Sequence, residues 1–285
     1  MTPSAGADST QIHPDWRELP NPARKPSAAA DVIALVCAAG LLLTALWFGG
    51  PELLHSGKRL AIAVAMPLAF AAAARLARGV SFSGAFAGAV IAFISILASP
   101  DLRMFWTLLI LFAITLAATR VGRSRKQTLK VAEAKSGRSA SQVMANLGVM
   151  GLALVIPGFK AAYLMALAAL AEAAADTISS EIGTAKVART VLITGWKTVP
   201  PGTNGGISLS GTIAGVLGAA IIASCAAVFG LVHGPGAILI AVAGIFGMLI
   251  DSLLGATLER RGYLNNDLVN LLSTATAAGV AWMLK

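Results

Sequence analysis

Residues 207–231, ISLSGTIAGVLGAAIIASCAAVFGL, contain no charged side chain. Crossing a hydrocarbon layer takes roughly 20 helical residues, and this run is long enough. Its Ala, Leu, Gly and Ile residues lack the apolar–polar alternation of a half-buried strand, so the segment reads as a membrane helix. Outward from it, comparable runs occupy approximately 32–49, 60–77, 82–99, 103–119, 141–157, 160–177, 236–256 and 267–284. The expectation is an all-α, polytopic transmembrane helical bundle of about nine spans, with helices throughout.

Composition points the same way. Of 285 residues, 56% are hydrophobic and 12% charged, with mean hydropathy +0.77, a balance that one soluble core would not hide. The 22 Lys and Arg give a formal net charge of +9, but they lie in short loops where they set topology, so nucleic acid is not an expected partner. Arg75, Arg78, the run Arg120 to Arg138, Lys186 to Lys197, Arg260 and Arg261 share one side with the N-terminal tail, whereas Lys58, Arg59, Arg103, Lys160 and Lys285 fall on the other. The bias favours a cytoplasmic N-terminus and an odd number of spans. The expected setting is a bacterial inner membrane. Cys37 and Cys225 lie inside apolar runs and read as small buried hydrophobes, with no disulfide framework or zinc site.

Residues 81–88, SFSGAFAG, echo residues 208–215, SLSGTIAG, and residues 144–147, MANL, echo residues 268–271, LVNL. The pattern implies a parallel three-helix repeat, spans three to five against spans seven to nine, with functional sites between the halves. Recurrence of small residues for close helix approach is the plainer alternative.

The chemistry concentrates at the face carrying the basic loops. Glu172 and Asp176 are four apart on one helical face and would repel each other without a partner. Asp251 stands alone among Leu and Ile, and carboxylates on membrane helices mark substrate, ion or proton paths by default. Two such helices could share Mg²⁺, which takes a few hard oxygen ligands plus phosphate oxygens. Arg138, Gln142 and Asn146 form a polar stripe, as do Asn266, Asn270 and Thr274. Residues 197–212, KTVPPGTNGGISLSGT, stiffen at Pro200 and Pro201 and free their backbone at Gly202, Gly205 and Gly206, so that N–H groups, a helix N-terminus and Lys197 converge on an anion, phosphate by preference. Bland readings remain for each: a solvated helix end, interhelical hydrogen bonding, and a tight Pro-Gly turn. His13, His55 and His233 give no credible hydrolytic triad with Ser and Asp.

Five ordered segments, 137–149 (GRSASQVMANLGV), 172–186 (EAAADTISSEIGTAK), 194–219 (TGWKTVPPGTNGGISLSGTIAGVLGA), 247–262 (GMLIDSLLGATLERRG) and 264–276 (LNNDLVNLLSTAT), resemble an integral membrane family that includes the plant phytyl-phosphate kinase. The resemblance implies a CTP-dependent kinase converting an isoprenyl monophosphate to the diphosphate, with Mg²⁺ as cofactor and the lipid entering from the bilayer. On that reading Asp176 and Asp251 hold Mg²⁺, with Glu172 and Glu181 as further ligands or acceptors. Lys197, Gly202, Thr203, Asn204, Gly205 and Gly206 bind nucleotide phosphates, and Arg138, Asn146 and Asn270 orient the acceptor phosphate. The expected organisation is a polar tail over 1–31, two helices over 32–80 and a catalytic membrane domain over 81–285. A transporter or lipid flippase and a CDP-lipid-forming cytidylyltransferase remain open as alternatives.

Overall fold

A computed structural model describes residues 27–99, 101–156, 158, 161–186 and 189–285. Most of the expected tail, with His13, and Lys160 lie outside the described residues. The helices run α1 (Ala28–Leu54), α2 (Gly57–Leu76), α3 (Phe82–Ala98), α4 (Arg103–Arg120), a short α5 (Arg123–Thr128), α6 (Ala140–Val155), α7 (Ala162–Ala185), α8 (Leu209–Val228), α9 (Pro235–Leu254) and α10 (Asn266–Met283). The long helices coincide with the apolar runs of the sequence. Six of them are long and apolar enough to cross a membrane. At 17 and 16 residues, α3 and α6 rise only about 25 Å, short of a ~30 Å hydrocarbon core.

The face bearing the basic loops, the basic face, holds most of the side-chain caps, with Ser56 of α2 capping at the other. Helices α1, α3, α6, α8 and α10 all begin there, and the side chains of Ser27, Ser81, Ser139, Ser208 and Asn265 accept from the third following amide. Such caps satisfy N–H groups that a helix start leaves open. Asp31, in the first turn of α1, accepts from Ser83 Oγ (2.8 Å) and from the Ser141 amide (3.0 Å), and so ties α1 to the starts of α3 and α6.

Helix α7 is the axis of the bundle. Its run from Ala166 to Ala175 is buried, and α4, α6, α8, α9 and α10 pack around it. Lipid tails are as apolar as leucine, so helices associate here through close van der Waals packing at small residues. A Cβ on Gly215 of α8 would stand 2.8 Å from the Ala175 carbonyl oxygen, and one on Gly247 of α9 would stand 2.5 Å from Glu172 Cγ. Helices α1 and α2 lie at the periphery and expose Val36, Leu43, Trp47 and Leu68, as a lipid-facing surface should. Cys37 is exposed on this surface and is not the buried hydrophobe expected.

One element departs from the all-helical expectation. Between α7 and α8 the chain forms β1 (Thr190–Leu192), β2 (Thr198–Val199) and β3 (Gly206–Ser208), an antiparallel sheet in the order β2-β1-β3. Pro200 and Pro201 cannot continue a helix, and the β-branched Thr198 and Val199 before them pair with Thr190 and Val191. The two echoed openings are capped alike by Ser81 and Ser208, and each of α3 and α8 packs on the helix before it.

Candidate functional site

Two helices bring carboxyl groups together beneath the basic face, and a third adds a hydroxyl. Glu172 and Asp176 project from α7, and Asp251 of α9 comes within hydrogen-bonding range of Asp176. Neighbouring carboxyl groups repel when both are ionised, so they call for a shared proton, a cation or a nearby positive side chain. From α10, Ser273 Oγ lies 3.4 Å from Asp251 Oδ2 and 3.0 Å from the Asn270 carbonyl oxygen. Glu172 is 1% exposed, and its Oε1 has no hydrogen-bond partner among the described residues. A buried orphan of this kind calls for an explanation such as a ligand, ion or water.

A fourth acid joins them through a helix irregularity. Helix α9 runs directly into a π turn, Gly255–Glu259. An α turn takes about 3.6 residues and the wider i→i+5 turn takes nearly one more, so Glu259 returns to the face of Asp251. Glu259 is buried and acts electrostatically on both Asp251 and Asp176.

Arg138 supplies the opposing charge. It acts on Asp176, and its Nη2 lies 3.5 Å from Thr177 Oγ1, the next residue of α7. Its backbone is pinned by two bonds, from its own amide to the Gly79 carbonyl (3.0 Å) and from the Ser81 amide to its carbonyl (2.9 Å). Gly137 makes this crossing possible: its φ is +80°, and a Cβ there would stand 2.5 Å from Gly79 C. Arg138 is thus set by main-chain geometry rather than by side-chain contacts alone.

Arg138 also borders an open cavity. Glu133, Gln142 and Asn146 line the mouth with it, and apolar side chains of α2, α3, α4 and α6 line the interior. Gln142 completes the capping box at Ser139, and Asn146 Nδ2 donates to the Gln142 carbonyl (2.9 Å).

The glycine-rich loop abuts the acid cluster. A Cβ on Gly205 would stand 2.3 Å from the Ala256 amide nitrogen in the π turn. Gly205 has φ +74°, which only glycine adopts freely. Within the loop the Thr203 amide donates to the Pro200 carbonyl (3.2 Å) and the Gly206 amide to the Thr203 carbonyl (2.8 Å). The amides of Gly202, Asn204 and Gly205 have no acceptor among the described residues.

A model of the family described as Integral membrane protein DUF92 matches residues 65–278. The chain belongs to this family. Among relatives, the uncharacterized membrane protein MJ0933 of Methanocaldococcus jannaschii is 40% identical over 172 residues, 59% of this chain and 70% of that one. Protein VTE6, chloroplastic, of Arabidopsis thaliana is 32% identical over 189 residues, 61% of this chain and 56% of its own length, so the match spans little more than half of that protein. Protein PGR of the same plant is 30% identical over 215 residues, 65% of this chain and 74% of that one. No solved structure matches.

The chain thus brings together Glu172, Asp176 and Asp251 beside Arg138, with Gly205 a short step away, and sets Asn146 with Arg138 on the cavity wall. Others stand apart. Glu181 is bonded at 2.5 Å to Lys126, a residue of α5 that also donates to the Thr119 carbonyl (2.8 Å). Lys197 is exposed. The hydroxyl of Thr274 donates within its helix and reaches the Ala145 carbonyl at 3.4 Å, so that stripe serves partly as interhelical bonding, and Ser273 beside it, not Asn270, bonds the acids. Sequence reasoning missed Glu259, Ser273 and Lys126. Glu259 carried a signal only to a reader who allowed for a π turn, and Lys126 was one cation in a basic run.

Among the described residues, no three His, Cys, Asp or Glu side chains form a metal site by themselves. A Mg²⁺ ion is ordinarily held by one or two carboxylates plus substrate phosphates. Facing Asp176 and Asp251 beside an orphaned Glu172 oxygen fit that donor set.

Proposed function

We propose that this protein is a CTP-dependent kinase that converts an isoprenyl monophosphate to its diphosphate at the basic, cytoplasmic face. The observation that carries the reading is the position of Arg138, which touches Thr177 beside Asp176 on one side and lines an apolar cavity on the other. A lipid phosphate resting on Arg138 has its chain in an apolar space and its oxygens beside the carboxylates. The resemblance to the phytyl-phosphate kinase family supports the same assignment.

In this reading Asp176 and Asp251 hold Mg²⁺, which supplies charge neutralisation at the transferring phosphoryl group. Glu172 and Glu259 orient the pair. Arg138, with Asn146 and Asn270, steadies the acceptor phosphate, and its fork suits bidentate phosphate binding. The free amides of Gly202, Asn204 and Gly205 receive nucleotide phosphates, whereas the Thr203 and Gly206 amides are spent within the loop. The acceptor is already ionised near neutral pH, so no general base is needed. Phosphoryl transfer then rests on positioning and electrostatics.

The test is product analysis with labelled CTP, Mg²⁺ and geranylgeranyl monophosphate. Release of CDP with a diphosphate lipid is the expected result. Pyrophosphate with a CDP-lipid identifies a cytidylyltransferase instead, and lipid movement in liposomes without nucleotide identifies a flippase.

A further inference from the structure

We infer that the cavity beside Arg138 is the binding groove for the isoprenyl chain and that Phe70 is the residue that limits chain length; this rests on the lipid-phosphate reading above. The groove has a polar end and an apolar end. Arg78 and Arg138 stand at the polar mouth with Glu133 and Gln142, so two cations face the position of a lipid phosphate. Below them the wall of α4 runs from Thr119 down to Leu108, about 16 Å at a helical rise of 1.5 Å per residue. The direction follows the helix axes, and therefore the direction of a lipid tail.

The deep end is closed by aromatic rings. Phe70 of α2 meets Phe112 edge-on at 5.3 Å between centroids and Phe105 edge-on at 6.0 Å. Phe105 is itself buried at 3% exposure, so Phe70 is backed on two sides and forms a fixed floor. The opposite wall is open at Gly88 of α3, whereas Gly84 packs against the Arg138 backbone. A Cβ at Gly88 would meet Phe70 only at 4.0 Å, so a larger side chain there enters the groove rather than the backbone. Charge at one end and apolar walls along the rest match an isoprenyl monophosphate.

Binding to the purified protein in detergent, without nucleotide, separates this inference from the kinase reading. The probes are geranyl, geranylgeranyl and longer polyprenyl monophosphates, with geranylgeraniol and dioleoyl phosphatidate as comparisons. Phe70→Ala is expected to raise affinity for the longer chains about tenfold, and Gly88→Leu to lower it about tenfold while sparing geranyl monophosphate. Gly88→Leu stands as the second variant in case Phe70→Ala does not fold, and unchanged melting temperatures confirm folding. Affinities unchanged in both folded variants would overturn the groove. So would geranylgeraniol binding as tightly as its phosphate, or phosphatidate displacing the isoprenyl ligand at equal concentration. Length-dependent binding without any diphosphate product from CTP would keep the groove and remove the kinase.

Discussion

Glu181 provides a sharp prediction, because the sequence placed it with the acids at the site and the structure gives it a different partner. The Lys126 and Glu181 side chains are 2% and 15% exposed and meet at 2.5 Å, with Lys126 also bonding the Ala118 and Thr119 carbonyls at the end of α4. Removing one member of a buried ion pair costs about 3–5 kcal/mol, since the other is left charged and unpaired. Glu181 keeps some access to solvent, so Lys126→Met should fall near the lower figure, about 3 kcal/mol. Glu181→Leu leaves an ammonium with two carbonyl acceptors and should cost a similar amount. The double variant should cost about 1–2 kcal/mol, which makes the coupling roughly 4 kcal/mol or more. Reversible unfolding in mixed micelles measures all three. Additive costs below about 0.5 kcal/mol each would show an ordinary surface pair. Glu181→Gln that abolishes turnover at unchanged stability would return Glu181 to the catalytic machinery and refute the strut.

Three further outcomes follow from the packing and the site. Gly205→Ala should lower stability by about 1–3 kcal/mol, because both its φ and its approach to Ala256 exclude a side chain; thermal melting in detergent checks this. Gly215→Leu should separate α8 from α7, costing about 1–3 kcal/mol or more, and a cysteine pair across that seam should lose its cross-linking. Arg138→Gln should raise the KM for the lipid phosphate at least tenfold while CTP still protects the protein against heat in Mg²⁺.

The bundle was legible because membrane helices must satisfy every backbone group internally, so apolar runs translate directly into helices. Asp176 and Asp251 were legible as isolated carboxylates in such runs, and Arg138 as the start of a polar stripe. What the sequence concealed has particular causes. Thr190–Leu192 and Thr198–Val199 are too short to signal strands, and they pair only because the chain reverses over residues 193–197, where Trp196 takes a φ of +55°. Glu259 sits before two arginines and looks like a solvated helix end until the π turn rotates it inward. Lys126 lies in a basic run, and its burial depends on the distant Glu181.

The central claim is that Asp176 and Asp251 form the metal-holding centre of a phosphoryl-transfer site. The direct measurement is diphosphate formation from CTP, Mg²⁺ and geranylgeranyl monophosphate by purified wild type, Asp176→Asn and Asp251→Asn. A loss of at least a hundredfold in both variants at preserved melting temperature is the predicted result. Full turnover in both folded variants would contradict it.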